Sequence, residues 1–193
     1  MSKIKLAIFA SGSGTNAEQI SKHFAQHNEV EVSLILSNKK KAFVLERAKN
    51  LGIESHTFDR PTFYESEEVL ELLKKNQIDF IILAGFLWLV PPYLIQAYRD
   101  KMINVHPALL PKFGGKGMYG DKVHQAVIAQ QEEESGITIH LVDEIYDNGK
   151  ILRQASVQID PSDDPESLAQ KIHALEYEHF PKAIEEYVLS YKA

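Results

Sequence analysis

The sequence predicts an α/β fold: a doubly wound, Rossmann-like and mostly parallel sheet, with antiparallel later strands and a C-terminal helix. Three observations predict it. Residues 4–10, 30–37 and 79–85 are continuous apolar runs, the composition of parallel strands buried on both faces. Helical spacing of apolar residues fills the intervals between them, which gives the β-α-β-α order of a wound sheet. In the second half the pattern changes to alternation, clear over residues 137–142 and looser over 151–159.

Taken in order, residues 16–26 and 42–51 supply the first two helices, and Gly52 is placed to stop the second. Residues 65–75 form another amphipathic helix, with Val69, Leu70, Leu72 and Leu73 turned inward. The short strand through Ile103-Asn104-Val105-His106 stops at Pro107, which has no N–H for a ladder and a fixed φ. The turn-forming Asp147-Asn148-Gly149 lies between the two alternating segments and favours an antiparallel arrangement of the later strands. Asp163-Asp164-Pro165 opens the last helix, with carboxylates at its positive end and proline at its first position. Leu168, Ile172 and Leu175 give that helix an apolar face. Pro181 is expected to kink or divide it before Ile184 and Val188.

The 193 residues, 44% hydrophobic and 25% charged, suit one domain with a real core. A net charge of −6 without a long basic run argues against a nucleic-acid partner, and the Lys39-Lys40-Lys41 triplet is too short to change that. With no cysteine, disulfides, thiolate catalysis and cysteine-based zinc sites are excluded. The stretch Met1-Ser2-Lys3-Ile4-Lys5-Leu6 runs straight into a strand and lacks a signal-peptide apolar region. The most apolar run, residues 80–90, falls short of the ~20 residues that span a bilayer. A soluble cytoplasmic protein with no membrane partner is expected.

Four stretches could carry chemistry. Asn104 and His106, two apart on a strand, point to one side at its carboxyl end, the edge where open α/β sheets bind ligands. They read either as an oriented amide and a titratable ring or as a capping amide and a structural histidine. The loop Ser11-Gly12-Ser13-Gly14-Thr15-Asn16 brings glycines and a helix N-terminus together, suited to a phosphate or to a tight turn alone. A dinucleotide fold would want an acidic residue roughly 20 positions later, and the second strand ends instead in Ser37-Asn38-Lys39. NAD is disfavoured; the lysines leave a 2′-phosphorylated nicotinamide open. Asp147 is ordinary turn chemistry unless the fold brings it to His106, where a carboxylate raises and orients an imidazole. Trp88, in Gly85-Phe86-Leu87-Trp88-Leu89-Val90, is core or a wall for a flat ligand. The histidines show no H-E-x-x-H pattern, and Glu176-x-x-His179 occurs once where di-iron bundles use such a pair twice, so no metal is expected.

Together these segments resemble the folate-dependent formyltransferase family, and within it the phosphoribosylglycinamide (glycinamide ribonucleotide) formyltransferases of purine synthesis. The resemblance spans nearly the whole chain. It rests on Gly12-Ser13-Gly14-Thr15-Asn16, on Leu83-Ala84-Gly85-Phe86, on the run from Asn104 through Pro107 to Lys112, on residues 143–149 and on Glu176-Tyr177-Glu178-His179-Phe180-Pro181. It implies one formyltransferase domain over residues 1–193, its first half binding the nucleotide phosphate, its second half binding folate and carrying catalysis. The family's catalytic residues fall on Asn104, His106 and Asp147. The phosphate loop falls on Gly14, Thr15 and Asn16, and the contacts to glycinamide and ribose on His173 and Glu176, one helical turn apart. The folate pocket falls on Leu87, Trp88, Leu89 and Val90, on Asn104, and on Asp143, Glu144, Ile145, Tyr146 and Asp147. The implied co-substrate is 10-formyltetrahydrofolate, with no metal, small-molecule partners only, and a monomer or homodimer. Trp88 stands where an arginine is common in the folate wall. The arginine often found near position 62, which meets the folate's glutamate tail, has no counterpart in Pro61-Thr62-Phe63-Tyr64. The Gly114–Gly120 loop is longer and richer in glycine than in many members.

Five other readings stand beside this one. The methionyl-tRNA enzyme of the same group adds a C-terminal RNA-binding domain, and the formyltetrahydrofolate hydrolase an N-terminal regulatory one; neither addition is expected here. Formylation of another amine, such as a sugar amine, and an NADP-dependent reductase are the alternatives in function. A non-catalytic sensor on this fold has no need of an oriented proton donor.

Overall fold

The computed structural model describes residues 2–191. Seven strands form one sheet in the order β3-β2-β1-β4-β5-β6-β7. The strands are β1 (Ile4–Phe9), β2 (Val30–Ser37), β3 (Glu54–Thr57), β4 (Phe80–Leu83), β5 (Met102–His106), β6 (Glu134–Leu141) and β7 (Ile151–Gln158). β3, β2, β1, β4 and β5 run parallel, β6 pairs antiparallel with β5, and β7 pairs antiparallel with β6. The doubly wound sheet with antiparallel later strands is as the sequence predicts.

Alternation along the buried strands divides the core in two. Ile4, Leu6 and Ile8 of β1 join one apolar cluster, Ala7 and Phe9 the other. On the first face pack α1 (Thr15–Phe24), α2 (Val44–Leu51), α6 (Asp121–Ala129) and α7 (Pro165–Ser190), through residues such as Phe24, Val44, Val127 and Phe180. On the second pack α3 (Arg60–Tyr64), α4 (Glu68–Lys75) and α5 (Pro92–Ala97), through Phe63, Leu73 and Leu94. Gly52 closes α2 with φ 68°, as its position predicts.

The winding direction reverses between β1 and β4. At such a switch point the connections leave on opposite faces and open a crevice at the carboxyl ends of the strands. Two bonds tie its lips: Ser11 N–H donates to the Gly85 carbonyl at 3.1 Å, and Leu87 N–H to Ser11 Oγ at 3.1 Å.

α7 departs from expectation. It runs unbroken through Pro181 over 26 residues. An interior proline costs ~3 kcal/mol, but Phe180, Ile184 and Val188 are fully buried around it. Each such side chain contributes roughly 1.5–3 kcal/mol, so burial wins and the helix is not divided. Its start behaves as read: the Asp164 carboxylate accepts from Glu166 and Ser167 N–H, and Pro165 takes the first position.

One buried hydroxyl fixes the chain where it leaves β5. Thr138, opposite His106 on β6 and fully buried, accepts from Leu110 N–H at 2.9 Å and from Gln154 Nε2 at 2.9 Å, and donates to the Ala108 carbonyl at 2.7 Å. Thr138→Val keeps the shape and strands these partners, so stability should fall by about 1–3 kcal/mol. Urea denaturation of the two proteins checks it, and equal midpoints would remove Thr138 from this role.

Candidate active site

The polar side chains of β5 and β6 gather on one side of the sheet because the antiparallel register pairs Asn104 with His140 and His106 with Thr138. His140 Nδ1 lies 2.8 Å from the Leu141 carbonyl, which can only accept, so the ring's N–H is there. Its Nε2 is therefore bare in the neutral ring and accepts from Asn104 Nδ2 at 3.0 Å. That bond fixes the amide's orientation and leaves the second hydrogen of Asn104 Nδ2 free for a ligand.

The same reasoning sets the tautomer of His106. Its Nε2 is 2.8 Å from the Phe113 carbonyl and must carry a proton. Nδ1 then faces Asp147 Oδ2 at 3.5 Å, beyond a direct hydrogen bond. Asp147 is held from the other side by Gly115 N–H, which donates to Oδ2 at 2.9 Å, and its Oδ1 stands 3.7 Å from His140 Nε2. Asp147 has φ 54°, the left-handed turn geometry that aspartate tolerates. Gly149 is required just after it, since a Cβ there would run into the Leu141 carbonyl. The two readings of Asp-Asn-Gly thus coincide: the turn is what delivers the carboxylate.

These groups open into a cavity of about 360 Å³ at the switch point. At one end lies the Gly12–Asn16 loop. Gly14 caps α1 with φ 75° and no side-chain cap, which leaves the helix's first N–H groups unoccupied. A Cβ on Gly14 would strike Val44, and Arg47, paired with Glu18, braces the loop from behind through the Ser13 carbonyl at 2.9 Å. Asn16 Nδ2 donates to Glu176 Oε2 at 2.8 Å, which ties this end to α7, where His173 also lines the wall.

At the other end stand Leu87, Trp88, Leu89, Val90, Ile145 and Tyr146. Leu87 is 41% exposed and Ile145 64%, high values for apolar side chains and fitting for a surface that a ligand covers. Val90 belongs mainly to the core. Glu144 is exposed and does not line the cavity, and the Asp143 carboxylate serves its own loop, accepting from Ile145 N–H and Asn148 Nδ2. Ser37, Asn38 and Lys39 also lie outside the cavity wall, so nothing there favours a nicotinamide.

Three residues were missed by sequence reasoning. His140 was legible in principle, since alternation on β6 puts it on the same side as Thr138. Arg60, one position before the stretch without an arginine, places its guanidinium 5.0 Å from the Trp88 ring centre. His124, on a helix the sequence reading did not predict, is buried in the cavity wall.

Burial lowers the pKa of His106 from its ordinary 6.5, against the opposing pull of the Asp147 charge. Burial pushes Asp147 up, but His140 and His106 in their protonated forms and the Gly115 N–H outweigh it, and the carboxyl stands below its usual 3.8. Among the described residues no cluster of three His, Asp or Glu side chains could hold a metal ion. No helix among them is long and apolar enough to cross a membrane.

Comparison with known proteins gives a consistent result. A family model described as formyl transferase matches residues 4–184. Phosphoribosylglycinamide formyltransferase of Bacillus subtilis is 37% identical over 188 residues, 94% of this chain and 93% of that one. The chloroplastic phosphoribosylglycinamide formyltransferase of Arabidopsis thaliana is 41% identical over 87% of this chain, and the match spans only 60% of the plant protein. The crystal structure of phosphoribosylglycinamide formyltransferase from Bacillus halodurans superposes with a TM-score of 0.85 at 40% identity, over 94% of each chain.

The sign of the His106–Asp147 interaction can be read directly. Asp147→Asn removes the charge that raises the His106 pKa, so its NMR titration midpoint should move further down. An unchanged or higher midpoint would show that the two groups do not interact. Because the folded value lies below 6.5, His106 also lowers stability progressively as pH falls from 6.5 through that value.

Proposed function

The chain belongs to the formyl transferase family, and we propose that it transfers the formyl group of 10-formyltetrahydrofolate to the amine of N1-(5-phospho-D-ribosyl)glycinamide, releasing tetrahydrofolate, in de novo purine (IMP) biosynthesis. It would act as a single cytoplasmic formyltransferase domain. The observation that carries the reading is the convergence of Asn104, His106 and Asp147 beside the Gly12–Asn16 cradle.

The substrate phosphate sits on the N–H groups of Gly14, Thr15 and Asn16, and Glu176 and His173 face the ribose and glycinamide. The folate ring lies along Leu87, Trp88, Leu89 and Ile145. Arg60, stacked on Trp88, offers a cation to carboxylates at the cavity mouth.

When the amine adds to the formyl carbon, a C–N bond forms and the carbonyl oxygen takes up negative charge. Asn104 Nδ2, already oriented by His140, donates its free hydrogen to that oxygen. His106 is the proton source. Its Nε2–H is held by the Phe113 carbonyl, so protonated Nδ1 is the atom that acts, and the 3.5 Å gap to Asp147 leaves it unsaturated by that carboxylate. Asp147 opposes the burial that lowers the His106 pKa, which lets Nδ1 carry its proton, and it accepts the amine's proton, directly or through water. The bond from the formyl carbon to the folate nitrogen then breaks, that nitrogen takes the Nδ1 proton of His106, and the amine's proton passes from Asp147 back to Nδ1. None of these steps requires a metal.

Purified protein incubated with both substrates in metal-free buffer should produce tetrahydrofolate; no turnover would end this reading. Losing one oxyanion donor costs ~3–4 kcal/mol, or roughly 10²–10³ in rate. Asn104→Ala and His106→Ala should therefore lose turnover by at least that factor and remain folded. Near-normal turnover in either would remove that residue from the mechanism.

A further inference from the structure

One titratable side chain in the cavity wall has no part in the scheme above. His124 lies on α6 beside the core residues Val123 and Val127 and is only 3% exposed. Its Nδ1 is enclosed and has no hydrogen-bond partner. Its Nε2 is not enclosed in this way, and no side-chain hydrogen bond among the described residues engages it; a donor left there without an acceptor costs on the order of 1–3 kcal/mol.

The enclosure of Nδ1 decides the tautomer. A buried N–H without an acceptor is rarer and costlier than a bare lone pair, so the proton belongs on Nε2. Burial, reinforced by the neighbouring His173, also lowers the pKa of His124, so near neutral pH the ring is uncharged. Asp121 acts in the opposite direction and His106 weakly in the same one. What His124 can present to the cavity is therefore a neutral N–H donor. It calls for an acceptor oxygen, not for a phosphate's full charge.

Its position selects which oxygen. The Asn16–Glu176 bond joins the phosphate end to α7, and His173 stands one turn further along that helix. α6 packs against α7, and His124 lines the same cavity wall as His173 and Glu176 of that helix, with His106 in the same cavity. Among the neutral acceptors of the phosphoribosyl substrate, the amide carbonyl oxygen of its glycinamide arm is the strongest, and it adjoins the reacting amine.

We infer that His124 is a further substrate-binding residue, whose Nε2–H donates to the glycinamide carbonyl and aims the amine at the formyl carbon. The inference rests on the transfer reaction proposed above. His124→Phe keeps the ring and removes both nitrogens. It should raise the KM for the phosphoribosyl substrate about tenfold, the equivalent of ~1.4 kcal/mol, with kcat within about threefold. The KM for the folate should not change. His124→Gln, whose amide can donate, should recover most of the loss. A substrate analogue with methylene in place of the carbonyl should bind wild type and His124→Phe alike.

An unchanged KM in His124→Phe, or an equal penalty for substrate and analogue, overturns the inference while leaving the reaction standing. If the phenylalanine variant does not fold, the wild type decides: the analogue should bind about tenfold more weakly than the substrate, and equal binding overturns the inference. A wild type that does not turn over the two substrates takes down the proposed function as well, so the two failures are distinguishable.

Discussion

The register between β5 and β6 is the constraint on which the site depends. It sets Asn104 against His140 and His106 against Thr138, and it sends Ile103, Val105, Ile139 and Leu141 to the opposite face, into the core beneath α7. Because strand side chains alternate with a period of two, a slip of one residue would bury the polar set and expose the apolar one. The core therefore holds the register, and the register holds the site. Thr138 extends this control past the end of the strand, since its hydroxyl binds both Ala108 and Leu110. Phe113, whose carbonyl fixes the tautomer of His106, follows shortly along the same segment. The tautomer of a single ring is thus set by packing in the sheet some distance away.

Two of the carboxylates that line the cavity are driven in opposite directions. Asp147 is lowered, because imidazoles and a backbone N–H outweigh its burial. Glu176 is raised, because burial dominates over the Asn16 amide and His173. Carboxyl groups pushed apart by their surroundings divide their labour. Asp147 stays ionised over the range in which the proposed reaction has His106 cycle its proton. Glu176, raised by burial, is suited to hydrogen bonds with neutral groups such as the hydroxyls of the proposed substrate. The division follows from two imidazoles and a backbone N–H around Asp147, against the deeper burial of Glu176.

How legible this was in the sequence varied with the physics of each segment. The parallel strands could be read because burial on both faces leaves few polar positions to blur them. β3 could not, since Glu54-Ser55-His56-Thr57 is a mostly exposed edge strand with no apolar signature. α3 and α5 escaped because five or six residues do not complete a second turn, so no apolar repeat can show. α6 begins after a run of glycines that read as loop, although Val123, Val127 and Ala126 carry its spacing. Asn104 and His106 were legible from strand parity alone. Asp147, 41 residues beyond His106, became a partner only through the turn that the sheet positions. Pro181 misled because proline rules describe exposed helices, and α7 is anchored by buried side chains on both sides of it.

A last constraint is electrostatic. The chain carries a net charge of −6, while the substrates proposed for it, a phosphate ester and a folate with its glutamate tail, are both anions. Net repulsion of this kind weakens over about 8 Å at physiological salt, so binding has to be decided by what lies inside that distance. At the phosphate end the charge comes from the backbone: the unpaired N–H groups of α1 point at the ligand, and Arg47 is neutralised by Glu18. Orientation there is fixed by peptide geometry. At the far end the cation is a side chain, but Arg60 lies over Trp88 and Tyr64 at 5.0 and 5.8 Å, which limits its conformations before any ligand arrives. Both ends thus present donors whose positions are set in advance. The acidic surface outside them is then compatible with anion binding, because neither substrate has to recruit its positive partner from solution.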